Sequence, residues 1–290
     1  MYPEKDIKAM IHLLDDPDRE ISVSVLSNLK SMGLQIIPVL EKAWENSSDT
    51  LTQERIESLI QEIQQDNVKD QLRDWLKNDQ EDLLKGSWLL AKFQYPDLDL
   101  SDLRNQIRLI SQETWLEINQ NLTALEKVRV LNYVFYKSFK FSGNYSNFYA
   151  PQNNFINQVL ETKKGNPLSL GVIYSLVARE LEMPVYGINM PRNFLLVYLD
   201  EHKSPETFES DLDAHILFYI NPFRKGTVVN RREIKTFLGS QKINPLPSHF
   251  LPCSNKIIIG RFIQNLIFAF EKSGYSEKVE SFRQLAELMK

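Results

Sequence analysis

Apolar residues recur at helical spacing through the first part of the chain. Ile7, Met10, Ile11 and Leu14 share one face. Asp15-Asp16-Pro17-Asp18 then predicts a break, because proline disfavours helix in the residue before it and preorganises the first turn of the next. Ile21, Val25, Leu26 and Leu29 form a second stripe that Gly33 stops. Pro38 opens a third helix carrying Val39, Leu40, Ala43 and Trp44, and a fourth is predicted from about Thr52 to Gln64 with Ile56, Leu59, Ile60 and Ile63 inward. Helical patterning continues with Leu72, Trp75 and Leu76, then Leu83, Leu84, Trp88, Leu89 and Ala91, and Tyr95-Pro96-Asp97 ends that segment. Ser101-Asp102 is the expected cap of a helix with Leu103, Ile107, Leu109 and Ile110. Leu125, Val128, Val130, Leu131, Val134 and Phe135 lie on one more. Trp44, Trp75, Trp88 and Trp115 fall at apolar helical positions and are expected in the core.

The character changes near Gly143. The stretch from Gly143 to Asn154 is polar and aromatic and reads as a structured loop, its asparagines suited to bonding local backbone. Helices follow from about Phe155 to Glu161 and Leu168 to Leu181. Three strand patterns come next: Val185 to Met190, Phe194 to Leu199 and His215 to Ile220. A charged, mobile loop is expected between the last two. After Asn230 the chain returns to helix. The stretch from Asn244 to Asn255 holds three prolines and reads as an extended connector. Helices from about Lys256 to Ser273 and from Ser276 onward are joined at Gly274-Tyr275.

Composition narrows the function classes. The net charge of −4 predicts no broad basic field, so nucleic acid is not an expected partner. The lone cysteine, Cys253, rules out an intrachain disulfide and points to a reducing compartment. The start lacks the basic and apolar stretches of a signal peptide, and no apolar run approaches the roughly 20 residues of a spanning helix. A cytoplasmic protein with no membrane partner is therefore expected. His12, His202, His215 and His249 show no paired metal-ligand spacing, and there is no glycine-rich phosphate loop, so neither metal nor other cofactor is expected.

Two resemblances sharpen this picture. Residues 1–66, most clearly 13–43, resemble HEAT-type helical repeats, too few to be stable alone. Four later segments together resemble the core of the SirB-type transglutaminase-like family. They are Gly165-Asn166-Pro167-Leu168-Ser169-Leu170, Leu181-Glu182-Met183-Pro184-Val185-Tyr186-Gly187, Pro191-Arg192-Asn193-Phe194-Leu195 and Asn221-Pro222-Phe223. The closing helices resemble the TPR-like pair that often ends that family. The resemblance implies an α+β, predominantly helical chain in four parts. These are HEAT-like repeats over 1–66, a helical region over 67–130, a transglutaminase-like (papain-like) core with a small antiparallel sheet over 131–240, and a connector with TPR-like helices over 241–290.

The same resemblance implies a catalytic cysteine at the start of a helix, with a histidine and an aspartate on neighbouring strands. A helix end and an imidazolium would lower the thiol pKa, and the carboxylate would orient the imidazole. Here the cysteine position is Pro167, or Ser169 on a two-residue slip; the histidine position is Asn193 and the aspartate position Asn221. None of these residues can perform its role. The leading expectation is a non-catalytic protein that binds a protein or peptide. The alternative is a hydrolase or acyl-transferase with a relocated nucleophile, Ser169 or Cys253. Ser169 also reads as a helix cap, and His215 lies about 20 Å of extended strand from Asn221. Lys163, Lys164, Asn166, Arg192, Tyr149 and Arg224 are the candidate ligand-binding rim for an acidic peptide or other anion. The lysines and arginines read more readily as solvated loop charge.

Overall fold

The computed structural model describes residues 4–15, 18–119, 121–200 and 212–290. The break expected at Asp16-Pro17 and most of the polar loop before His215, including His202, lie outside them. The chain divides into two compact units, one of residues 1–74 with 92–96, the other of residues 75–91 with 97–290.

In the first unit, α1 (Glu4–His12), α2 (Arg19–Ser31), α3 (Ile37–Asn46) and the leading part of α4 (Thr50–Asn78) bury the anticipated stripes. Leu14, Leu29, Leu40, Ile56, Leu59 and Ile63 make one apolar core. The helix expected to stop near Gln64 continues to Asn78. The polar run Gln64-Gln65-Asp66-Asn67 contains no helix breaker, and ion pairs suit it to the surface: Lys30 reaches Glu62 and Asp66, each at 2.9 Å, and Lys69 reaches Asp66 at 3.0 Å. Trp44 is half-exposed rather than core, its indole N–H donating to Glu57 Oε1 at 2.8 Å.

The second unit is built around one buried helix. It contains α5 (Leu83–Lys92), α6 (Leu100–Glu117), α7 (Ala124–Tyr133, continued by a π turn over Val134–Ser138), α8 (Ile156–Thr162), α9 (Pro167–Glu180), α10 (Arg231–Ser240), α11 (Asn255–Ser273) and α12 (Ser276–Leu288). Asp99, not Ser101-Asp102, caps α6: the helix begins at Leu100, and the Ser101 N–H donates to Asp99 Oδ1 at 2.8 Å. Leu103, Ile107, Ile110 and Thr114 form the buried stripe of α6. Trp115 sits a further 100° or so round the helix and is 68% exposed, so it is not a core residue. Leu109, also off the stripe, is exposed.

Helix α9 is apolar on all sides, from Leu168 to Ala178, as a helix enclosed by neighbours should be. It packs on α6, α8 and an antiparallel meander of β3 (Val185–Ile188), β4 (Leu195–Leu199), β5 (Ile216–Asn221) and β6 (Thr227–Val229), in that order. The five successive apolar residues of β4 follow from cover on both faces. Leu195, Val197 and Leu199 pack with Ile234 and Leu238 of α10, while the strand's alternation turns Leu196 and Tyr198 the other way. A short parallel pair, β1 (Ser142–Gly143) and β2 (Lys164–Gly165), was not foreshadowed by the hydrophobic pattern, two residues being too few to show a period. Among the described residues no single helix is long and apolar enough to cross a membrane.

One ring couples α9 to the sheet. Phe194, just before β4, is buried between Gly171 of α9 and Gly187 of β3. A Cβ at Gly171 would lie 2.6 Å from the ring, and one at Gly187 would lie 2.5 Å from it. Gly171→Ala and Gly187→Ala should each destabilise the protein by about 1–3 kcal/mol, the usual cost of overpacking. Gly239→Ala in α10, where nothing lies within 4 Å, should be neutral or stabilising by up to about 1 kcal/mol. Calorimetric melting of the three variants checks the contrast; equal melting temperatures would remove the wedge.

Candidate functional site

A cleft of about 490 Å³ opens at the start of α9. Four segments wall it. The loop after β1 supplies Phe148, Tyr149 and Asn154, the first turn of α9 supplies Asn166, Pro167 and Leu168, the β3–β4 loop supplies Arg192 and Asn193, and α11 supplies Arg261, Asn265, Phe268 and Ala269.

Amides hold these walls together. Asn166 caps α9: its Oδ1 accepts from the Ser169 N–H at 2.9 Å, while Ser169 Oγ accepts from the Asn166 N–H at 3.0 Å. This reciprocal box satisfies two backbone donors at the helix start. The Asn166 side-chain amide then donates to Asn154 Oδ1 at 2.7 Å, which also accepts from Asn265 at 3.3 Å. One carbonyl oxygen thus ties the loop, α9 and α11. The loop is braced by Asn153, whose amide donates to the carbonyls of Asn147 and Phe148 at 2.8 and 3.0 Å, and by Asn144, which donates to Asn153 Oδ1 at 2.9 Å. Asn193 Oδ1 accepts from the Phe194 N–H at 2.9 Å.

The charged lining is entirely cationic. Arg261 donates to Asn189 Oδ1 at 2.6 Å and to the Met190 carbonyl at 2.9 Å, and its guanidinium stands 5.9 Å from the Phe194 ring centre. Burial pushes its pKa down, opposed by Cys253, but a guanidinium stays charged in any protein setting. Arg192, in a left-handed backbone conformation at φ 59°, donates to Gln241 Oε1 at 2.7 Å. On the aromatic side Tyr149 meets Phe148 and Phe268 edge-on, with ring centres 5.1 and 5.6 Å apart, and Lys272 Nζ lies 3.7 Å over the Tyr149 ring.

The structure separates the residues singled out in the sequence. Pro167 and Asn193 share the cleft, and Tyr149, Asn166 and Arg192 line it with them. Ser169 does not: it is 1% exposed, and its hydroxyl bonds only within the cap, to Asn166. Asn221 is buried and outside the lining, with its Oδ1 accepting from the Arg224 N–H at 3.1 Å. The basic rim is only partly assembled. Lys163 is the left-handed cap of α8 and lies 4.9 Å over the Phe141 ring, and Lys164 and Arg224 are exposed outside the lining. His215 is buried at the start of β5 and lies outside the lining. Cys253 lines a separate hollow with Met183, Tyr186 and Gly187, and its N–H extends the β3 edge through the Gly187 carbonyl at 2.9 Å.

Sequence reasoning missed Arg261, Asn265 and Phe268. Their signal was present: in the largely apolar run from Ile257 to Phe270, Arg261 and Asn265 stand four apart, and Phe268 is three further on, which places all three on one helical face.

A family model for the transglutaminase-like superfamily matches residues 101–264. The chain belongs to that superfamily. Among individual proteins it is 31% identical to a UPF0162 protein of Xylella fastidiosa (strain 9a5c) over 191 residues, covering 63% of each chain. It is 28% identical to a UPF0162 protein of Vibrio cholerae over 186 residues, covering 63% of this chain and 64% of the relative. It is 24% identical to the human F-box only protein 21 over 250 residues, covering 78% of this chain and 38% of the relative. The chain thus covers less than two thirds of each relative. No solved structure matches it.

For a transglutaminase-like cleft this lining is chemically quiet. It contains no thiol, imidazole, carboxylate or amine. It does offer amide and guanidinium donors beside aromatic faces. Nor is the one cysteine activated elsewhere: burial, set against backbone hydrogen bonds and the Arg261 charge, pushes the Cys253 thiol up to about 11. Its alkylation by iodoacetamide should therefore be slow at pH 7 and rise about tenfold per pH unit through pH 9 without a plateau, because only the thiolate reacts. Mass spectrometry of timed samples reads this, and a plateau below pH 8 would reveal an activated thiol.

Proposed function

We propose that this chain is a SirB-type transglutaminase-like protein that binds a protein or peptide segment and carries out no acyl transfer. The observation that carries this reading is the pairing of Pro167 with Asn193 in one cleft, where the resemblance expects a cysteine and a histidine. We take Pro167 as the cysteine position, because it faces the cleft while Ser169 is spent on the cap. Asn221 stands for the aspartate and serves as the cap of a short turn. A relocated nucleophile finds little support: Ser169 Oγ has only Asn166 atoms as partners, and Cys253 belongs to another hollow.

The flanking helices fit the same reading. We interpret α1–α4 as HEAT-like and α11–α12 as a TPR-like pair, modules that offer surface rather than chemistry. The four-part division at 66, 130 and 240 is kept as a description of sequence relationships, although α4 itself runs on from Thr50 to Asn78. The lone cysteine supports a cytoplasmic setting, and the acidic composition favours a protein partner over nucleic acid.

The test is an assay of amide hydrolysis and amine incorporation on casein-derived peptides, with wild type, Cys253→Ala and Ser169→Ala. We expect no turnover above buffer in any of the three. Turnover in the wild type that either substitution abolishes would overturn the reading.

A further inference from the structure

The cleft carries positive charge that its own lining does not balance. Its lining holds Arg192 and Arg261 and no acidic residue. Every hydrogen-bond partner of the two guanidinium groups is neutral, namely Asn189, Met190 and Gln241. A partly buried cation held only by neutral acceptors is a costly arrangement unless an anion completes it. Arg261 uses Nη1 for both of its protein bonds, which leaves the rest of its planar fork for a ligand.

The surrounding donors select the kind of anion. Phosphate sites commonly use several free backbone N–H groups at a helix start. Here Pro167 has none, and the N–H groups of Asn166 and Ser169 are engaged in the capping box, so of the first three helical residues only Leu168 keeps its N–H outside the box. Most of what remains is planar: guanidinium forks and side-chain amides, the complement of a carboxylate. The opposite wall, Phe148, Tyr149 and Phe268, is aromatic and partly exposed. A cleft of 490 Å³ has the size of a small-ligand site, enough for a few peptide residues.

We propose that this cleft receives a peptide carboxylate, gripped by Arg261 and Arg192, with a neighbouring apolar side chain laid against Phe148, Tyr149 and Phe268. This rests on the reading of the cleft as a binding site. The carboxylate has two available sources, an Asp or Glu side chain and a free chain end.

The test is a random hexapeptide array displayed in two forms, with free and with amidated C-termini, probed with the full chain labelled at its α-amino group. Selected peptides are then titrated by fluorescence anisotropy. We expect enrichment of Asp or Glu beside an apolar residue if the source is a side chain, or loss of signal on amidation if it is the chain end. In either case Glu→Gln exchange or amidation, Arg261→Lys and Arg192→Gln should each weaken binding about tenfold or more. Arg192 is exposed, so its variant guards against a folding defect at Arg261, and melting curves of both confirm the fold. Enrichment of neutral peptides, or acidic peptides indifferent to both arginine variants, would overturn the carboxylate while leaving a binding module. Preference for phosphopeptides over their Glu counterparts would overturn it in favour of phosphate. An array with no enriched peptide would overturn both this proposal and the peptide-binding function beneath it.

Discussion

The position of the cleft depends on the burial of Phe194. Its ring fills the space that the missing side chains of Gly171 and Gly187 leave between α9 and β3. Burying a phenylalanine contributes on the order of 2–3 kcal/mol, enough to fix the hairpin against the helix. The β3–β4 loop then has little freedom, and Arg192 and Asn193 are carried to the mouth of α9. Arg261 completes the arrangement from α11, by standing near the same ring and bonding to Asn189 and Met190 of the loop. Three segments distant in sequence are thereby fixed around one hydrophobic contact, and the polar residues of the site follow from it.

Amide side chains do much of the remaining work. Asn144, Asn153, Asn154, Asn166 and Asn265 satisfy the backbone and one another without bringing formal charge into the unit. A carboxylate at Asn154, Asn166 or Asn265 would share the cleft lining with the two arginines and offset their charge. The match to the transglutaminase-like superfamily ends at residue 264, within α11, so Arg261 falls inside the family segment while Asn265 and Phe268 fall beyond it. The cleft therefore combines the family core with residues past its matched edge.

Much of the architecture was legible because burial writes a period into the chain. The stripes of α2 and α3, the two closing helices and the all-apolar β4 follow directly from which faces are covered. Legibility failed where a residue's role is not set by its own segment. The polar run at Gln64–Asn67 looked like an ending, yet nothing in it breaks a helix. Trp115 looked like core because tryptophan usually is, although its step from Thr114 carries it off the buried face. At the site, Pro167, Asn193, Asn166 and Arg192 could be found because a motif marks each of them. Lys163, Lys164 and Arg224 were proposed from proximity in sequence, which does not say to which side a loop side chain turns. Arg261 and Asn265 were overlooked because an apolar helix hides two polar residues unless its opposing wall is known.

The capping box at the start of α9 bears on which donors this helix end can offer to the cleft. Acyl transfer needs backbone N–H groups directed at the oxyanion that forms as the nucleophile attacks. At this helix start Pro167 has no N–H, and those of Asn166 and Ser169 are committed to stabilising the helix. A cysteine in place of Pro167 would bring its own N–H, while the N–H groups of Asn166 and Ser169 would stay committed to the cap. Freeing them means giving up a cap usually worth about 1 kcal/mol. The bonds that steady the start of α9 are thus the same ones that withhold these two donors from the cleft.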